Sequence, residues 1–177
     1  MSPVRSTLST IAGPVDAALL QPLRGPETAA FWDGTARGEL LVQRCAACGT
    51  LRFPPGPLCP SCHSTRRGWQ TVSGRGRIWS FAVAHPPLLS GFGELAPYSV
   101  GVVELHEDPA IRLVGMVVVV GPDGGLHPGP APEIGAAVEV AFEERGDTVL
   151  PAWVLVDREA PPVPGGGDTI ATEGADR

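Results

Sequence analysis

Lysine is missing altogether, so all 13 basic residues of the 177-residue chain are arginines, a bias that reads as codon usage more than as function. Charge of either sign is sparse: Asp, Glu, Lys and Arg make up 18% of the chain, against roughly 25% in ordinary domains. Aromatics are scarcer still at 6%, too few for a broad base-stacking surface. No long apolar run exists. The most hydrophobic stretch, Leu113–Val120, falls far short of the ~20 residues that span a bilayer. The apolar residues from Ile11 to Leu20 are interrupted by Pro14 and Asp16, and no basic start leads into a clean hydrophobic block, so a secretory signal is not expected. A soluble, cytoplasmic protein is the expectation. Acids are also missing from one long interval. None occurs between Glu39 and Glu94, where Arg44, Arg52, Arg66, Arg67, Arg75 and Arg77 fall. A basic segment in a chain of net charge −6 suggests an anionic ligand, an acidic partner surface, or simply a solvated face.

Glycine and proline are abundant, 23 and 20 residues. That much turn chemistry argues for short strands joined by loops and against a helix bundle. The chain divides accordingly. Residues 1–25 carry scattered Pro and Gly without a sustained period and are expected to form a flexible arm. Pro26 and Glu27 suit a first helical turn; Ala29, Ala30, Phe31 and Trp32 continue it, and Gly38 can end it, giving a helix over 26–38. Residues 39–72 hold four cysteines. Residues 73–156 contain five strand-like runs, Arg77–Ala84, Tyr98–Leu105, Ile111–Val120, Ala137–Phe142 and Val149–Val156, each rich in Val, Ile or aromatics and bounded by turns. Five such strands fit a small closed barrel of the OB type. The Gly- and Pro-rich connection from Gly121 to Gly135 reads as a surface loop. The tail over 157–177 is expected to be disordered.

Cys45-Ala-Ala-Cys48-Gly49 and Cys59-Pro-Ser-Cys62 form a C-x2-C-x10-C-x2-C pattern. Two C-x-x-C turns can aim four thiolates at one tetrahedral ion, and Gly49 allows the tight exit from the first. The spacer is shorter than the usual ~15–20 residues, but Pro54, Pro55 and Pro57 make it a stiff bridge. Zinc bound by Cys45, Cys48, Cys59 and Cys62 is therefore expected, with no coordination position left for catalysis. Cys59–His63 also spells C-x-x-C-H, the covalent haem pattern, which normally requires export. A redox dithiol would want one C-x-x-C beside a βαβ unit. Iron is the remaining tetrathiolate alternative, and His63 reads as a surface residue or one that supports a ligand.

No catalytic set emerges. His63, His85, His106 and His127 are scattered, and there is no nucleophile elbow, P-loop or His-Glu-x-x-His. Gly74-Arg75-Gly76-Arg77 is too short for a dinucleotide fingerprint and runs into a strand, where it gives a tight entry to the barrel.

Several stretches together resemble a known family: Phe31-Trp32-Asp33-Gly34, Gly38-Glu39-Leu40-Leu41, Gln43-Arg44-Cys45, Phe53-Pro54-Pro55, Cys59-Pro60-x-Cys62, Trp69, Ser73-Gly74-x-Gly76-x-Ile78-x-Ser80-Phe81 and Pro97-Tyr98. They are similar to the zinc-ribbon plus OB-fold acyl-CoA-associated proteins, long catalogued as a domain of unknown function, over roughly residues 26–156. The resemblance implies a mainly β chain: an N-terminal helix, a rubredoxin-like zinc ribbon and a five-stranded OB-fold barrel. It also implies a non-catalytic accessory subunit of thiolase-like enzymes, including sterol-carrier-type thiolase-like aldolases, in lipid or sterol metabolism. Arg75 and Arg77 would then face CoA phosphates or an acidic partner, and the adjacent Phe31 and Trp32 would either pack inward or dock the partner. The competing reading is a single-stranded nucleic-acid binder stacking bases on Trp79, Phe81 and Tyr98. The acidic balance, with a pI near 5.1, works against it.

Overall fold

The computed structural model describes residues 5–6, 22–88, 92 and 95–156. Most of the expected N-terminal arm and all of the expected tail lie outside them. Helix α1 runs Ala29–Arg37. Its expected opening at Pro26 is a turn instead: the N–H groups of Thr28 and Ala29 both donate to the Gly25 carbonyl, at 3.0 and 2.9 Å. Glu27 consequently stands outside the first helical turn and lies 3.8 Å from Arg67. Gly38 closes the helix in the left-handed region (φ 76°). Its N–H bonds the Thr35 carbonyl and the Glu39 N–H bonds the Gly34 carbonyl, both at 2.9 Å, which satisfies two orphan acceptors.

Eleven elements are described in all. Besides α1 these are β1 (Arg5–Ser6), β2 (Leu40–Cys45), β3 (Leu51–Arg52), β4 (Arg67–Val72), β5 (Arg75–Ala84), β6 (Tyr98–Leu105), β7 (Arg112–Val120), β8 (Leu126–Pro128), β9 (Ala137–Arg145) and β10 (Thr148–Leu155). A small antiparallel sheet, β3-β2-β4, carries the cysteines. The other sheet closes on itself. β5 pairs β6, β6 pairs β7, β9 pairs β10 and β9 returns to β5, all antiparallel, while β7 and β10 pair in parallel through Val117–Trp153 and Val118–Val154. Five strands joined in that ring are the OB-fold barrel.

Alternation along the strands fills it. Val103 and Leu105 of β6 point in, while Val102 and Glu104 point out. Ile78, Leu113, Val138, Phe142 and Trp153 complete a core that also takes in Phe31 of the helix and Leu40 and Val42 of β2. Helix, small sheet and barrel therefore share one apolar interior. Burying it supplies roughly 25 cal/mol per Å² of apolar surface, and none of the three parts keeps its share alone.

The connection after β7 departs from expectation. It is not simply a surface loop, because β8 pairs with Val118–Val120 and Leu126 is fully buried. Leu126 joins Val118, Ala141 and Ala152 in a second small core on the outer side of the barrel. The turn before it is shaped by the Asp123 carboxylate, which accepts the Gly125 N–H at 3.0 Å and lies 2.9 Å from His127 Nε2.

The entry to β5 requires its glycines. Gly74 has φ 73°, and a methyl group on Gly76 would lie 2.5 Å from both the Glu104 carbonyl oxygen and Val103 Cγ1. Gly76→Ala is expected to cost about 1–3 kcal/mol through overpacking, read as a lower urea midpoint with an unchanged slope. Gly56→Ala, where a methyl would meet no atom within 4 Å, is the matched control and should be neutral or slightly stabilising.

Candidate metal centre and the faces around it

Two turns of the same design build the centre. In the first, Cys45 N–H donates to the Thr50 carbonyl and Gly49 N–H returns to the Cys45 carbonyl, both at 2.9 Å. In the second, Cys59 N–H donates to the Ser64 carbonyl at 3.0 Å and His63 N–H returns to the Cys59 carbonyl at 2.9 Å. Each turn ends on a left-handed residue: Gly49 at φ 80° and His63 at φ 56°. His63 thus occupies the place that glycine fills in the first turn, and it is not among the residues grouped around the centre.

The turns bring the four sulfurs of Cys45, Cys48, Cys59 and Cys62 within 4.8 Å of one another. Cys45 and Cys62 approach to 3.6 Å, as do Cys48 and Cys59. A disulfide needs about 2.05 Å, so these are free thiols. Sulfurs arranged tetrahedrally at about 2.3 Å around one ion would be about 3.8 Å apart, which is close to what is seen. The donor set fits a thiophilic cation.

The acid–base character of the cluster agrees. The Thr50 hydroxyl, 3.1 Å away, and the Thr50 N–H pull Cys48 down to about 6. Cys62 is helped by the Ser64 N–H, yet its three neighbouring thiols and burial push it up to about 12. Sulfurs packed this closely cannot all ionise without a cation among them. All four cysteines are spent on one site, leaving no second role for the Cys59–His63 haem pattern.

The segment between the turns is fixed from inside. Arg52 is buried, its Nε donating to Gln43 Oε1 and its Nη2 to the Gly56 carbonyl at 2.6 Å. Gln43 Oε1 also accepts the Gly56 N–H at 3.0 Å. Of the six arginines in the acid-free interval, Arg52 is therefore structural and cannot meet a ligand.

The remaining predicted residues separate. Phe31 is only 3% exposed and makes a tilted contact with Phe53 at 5.2 Å. Trp32 is half-buried and meets Phe31 edge-on at 4.8 Å. Together they form one wall of an apolar cleft of about 460 Å³, opposite Tyr98, Val100 and Leu113–Met116. Glu143 and Arg145 close one end of that cleft as a buried ion pair. Burial holds the Glu143 carboxyl above its usual range, with Arg145 opposing. Sequence reading missed this pair because Glu-Glu-Arg at a strand end looks solvated.

Arg75 is exposed and Arg77 half-exposed, both on β5 and away from the cleft. Of the aromatics considered for base stacking, Phe81 packs against the core and Tyr98 lies 6.2 Å from Phe92. The third, Trp79, carries the Arg112 guanidinium 4.0 Å from its ring centroid. Arg112 was also missed: its partner lies two strands away and is found only once the register is known. Among the described residues no helix is long and apolar enough to cross a membrane.

Residues 32–66 match the family described as the ChsH2 rubredoxin-like zinc ribbon domain, and residues 69–143 match the ChsH2 C-terminal OB-fold domain. A "DUF35 domain-containing scaffold protein" of Methanothermobacter thermautotrophicus is 34% identical over 64% of this chain and 82% of its own length. The chain belongs to the ChsH2/DUF35 family. A solved chain titled "Ltp2-ChsH2(DUF35) aldolase" is 35% identical and superposes with a TM-score of 0.65 over 76% of this chain and 98% of that one. A "3-oxo-4,17-pregnadiene-20-carboxyl-CoA hydratase alpha subunit" of Mycobacterium tuberculosis is 34% identical over 77% of this chain but only 40% of its own length. The "Benzoylsuccinyl-CoA thiolase subunit BbsA" of Thauera aromatica is 35% identical over 37% of this chain and 46% of its own. This DUF35 chain thus spans less than half the length of the hydratase subunits it matches, 28% in one case and 40% in the other.

Replacing any one of the four cysteines by serine should abolish stoichiometric metal binding and unfold the small sheet, read as lost metal content together with lost amide protection over residues 40–72. Loading displaces thiol protons, so metal affinity must fall as pH falls. His63→Gly should raise stability by about 1 kcal/mol by relieving the left-handed backbone, measured as an upward shift in the denaturation midpoint of the metal-loaded chain.

Proposed function

We propose that this chain is a non-catalytic accessory subunit that binds and supports a thiolase-like acyl-CoA enzyme of lipid or sterol metabolism, with zinc as a structural clamp in its ribbon. The likeness to the chain of the Ltp2-ChsH2(DUF35) aldolase carries the reading, because it extends over 98% of that chain at 35% identity. The names of the scaffold proteins and of the benzoylsuccinyl-CoA thiolase subunit point the same way. Zinc is favoured over iron by the zinc-ribbon family that residues 32–66 match; the tetrathiolate set itself suits either ion. In this reading the four cysteines hold the ribbon's shape, and the reacting nucleophile belongs to the partner. Arg75 and Arg77 are the side chains proposed to meet CoA phosphates, since a guanidinium fork matches a phosphate bidentately. Phe31 and Trp32 support docking indirectly, by fixing the helix against the barrel.

Co-expression with a thiolase-like enzyme tests this. The two proteins should elute together, and acyl-CoA turnover should require both. A chain that ignores such enzymes yet binds oligonucleotides, with affinity falling steeply in salt, would contradict the proposal. Arg75→Ala and Arg77→Ala should each weaken CoA-ester binding by the complex about tenfold, the loss expected for one charge-assisted hydrogen bond. Unchanged affinity in both variants would remove the phosphate role.

A further inference from the structure

The outer face of β5, β6 and β7 continues beyond the apolar cleft, which Val100, Val114 and Met116 also line. Register sets its rows. Ser80, Val102 and Val114 lie side by side, and so do Arg77, Glu104 and Arg112. Between the rows, the register shift at Ile78/Ser80 makes Trp79 the extra residue of a β-bulge. A bulge re-aims a side chain out of the regular pleat, and Trp79 is 48% exposed while Val114 is 61% exposed. Arg112 covers one part of the Trp79 ring. The result is an apolar centre of Trp79, Val102 and Val114 bordered by the Arg77–Glu104–Arg112 row, net positive in a chain otherwise acidic. Trp and Arg are the residue types that dominate binding energy at protein interfaces.

The occupant follows from charge and shape. A strand-bound nucleic acid would need successive aromatics along a groove; Tyr98 shares this face but stands four residues along β6 from Val102, against Phe92, and Phe81 packs against the core, so Trp79 has no aromatic beside it. A second copy would set this face's two arginines and one glutamate against the same set, four guanidinium groups to two carboxylates. A different protein with an apolar patch edged by Asp or Glu fits both features.

We propose that this face, centred on Trp79, Val102 and Val114 and edged by Arg112, is where the chain docks onto its catalytic partner, and that the partner meets it with an apolar patch rimmed by carboxylates. The inference rests on the accessory-subunit reading and names the surface that reading leaves open. The face lies outside the core and outside the metal centre, so its variants should fold and load metal normally.

The test uses the full chain and a thiolase-like partner with which the wild type co-elutes. Trp79→Ala and Val114→Asp should each raise the Kd about thirtyfold or more, as loss of an interface hot spot does. Arg112→Glu should weaken binding and flatten its dependence on salt. A carboxylate-to-arginine change on the partner should restore binding to the Arg112→Glu chain. Leu58→Asp, an exposed residue of the ribbon, should leave the Kd unchanged. Correctly folded, metal-loaded Trp79→Ala and Val114→Asp chains that bind as tightly as wild type overturn the inference and leave the accessory reading standing. A wild-type chain that binds no such enzyme overturns both. Self-association or oligonucleotide binding that disappears in Val114→Asp or Trp79→Ala, with enzyme binding unaffected, assigns the face to another occupant and overturns it as well.

Discussion

The convergence of four sulfurs from two separate turns is the constraint on which the rest of this chain depends. Cys45 ends β2, and β2 is the middle strand of the small sheet, paired on one side with β3 and on the other with β4. The same strand sends Leu40 and Val42 into the core shared with Phe31 and the barrel. An ion that joins the two turns therefore fixes more than a local loop. It sets β2, and through β2 the angle at which helix and barrel meet. Without that link, a sheet of strands two to six residues long would have little to hold it.

What the sequence disclosed follows from which signals are local. The cysteine spacing is local, as is the alternation in Ala137–Phe142 and in Arg77–Ala84, and the metal turns and barrel strands were legible from them. The OB topology needed only the strand count and the turn residues. The misreadings were not local. Glu27 looked like a helix-dipole acid because its partner, Arg67, is far along the chain. Leu126 looked like loop because three residues carry no period, and only the apolar surface of Val118, Ala141 and Ala152 gives it a place. Arg52 looked like part of a basic surface, yet Gln43 and Gly56 bring it inside. Arg112 stacked on Trp79, and Glu143 paired with Arg145 at the cleft, depend on register and burial, which composition does not encode.

The arginine-rich interval divides by role. Arg52 holds the connector, Arg67 meets Glu27, and Arg75 and Arg77 remain on the barrel surface, where Arg112 joins them from a later strand. A segment that looks uniformly basic in sequence is thus partly interior and partly surface. The functional reading rests on the surface part alone. Two adjoining places that share Val114 are then open to a ligand or partner: an apolar cleft between helix and barrel, and an arginine-edged face on the outside of β5, β6 and β7. In the proposed reading the tetrathiolate set, which lines neither place, contributes shape and no chemistry.

One measurement tests this structural role of the ion most directly. A complex of this chain with the proposed thiolase-like partner is titrated with a strong chelator while enzyme activity and complex mass are followed on the same samples. The account predicts that activity and assembly are lost together, in proportion to the metal removed, because the ion holds the subunit's shape. Activity that disappears while the complex stays whole would place the metal in the chemistry and contradict it.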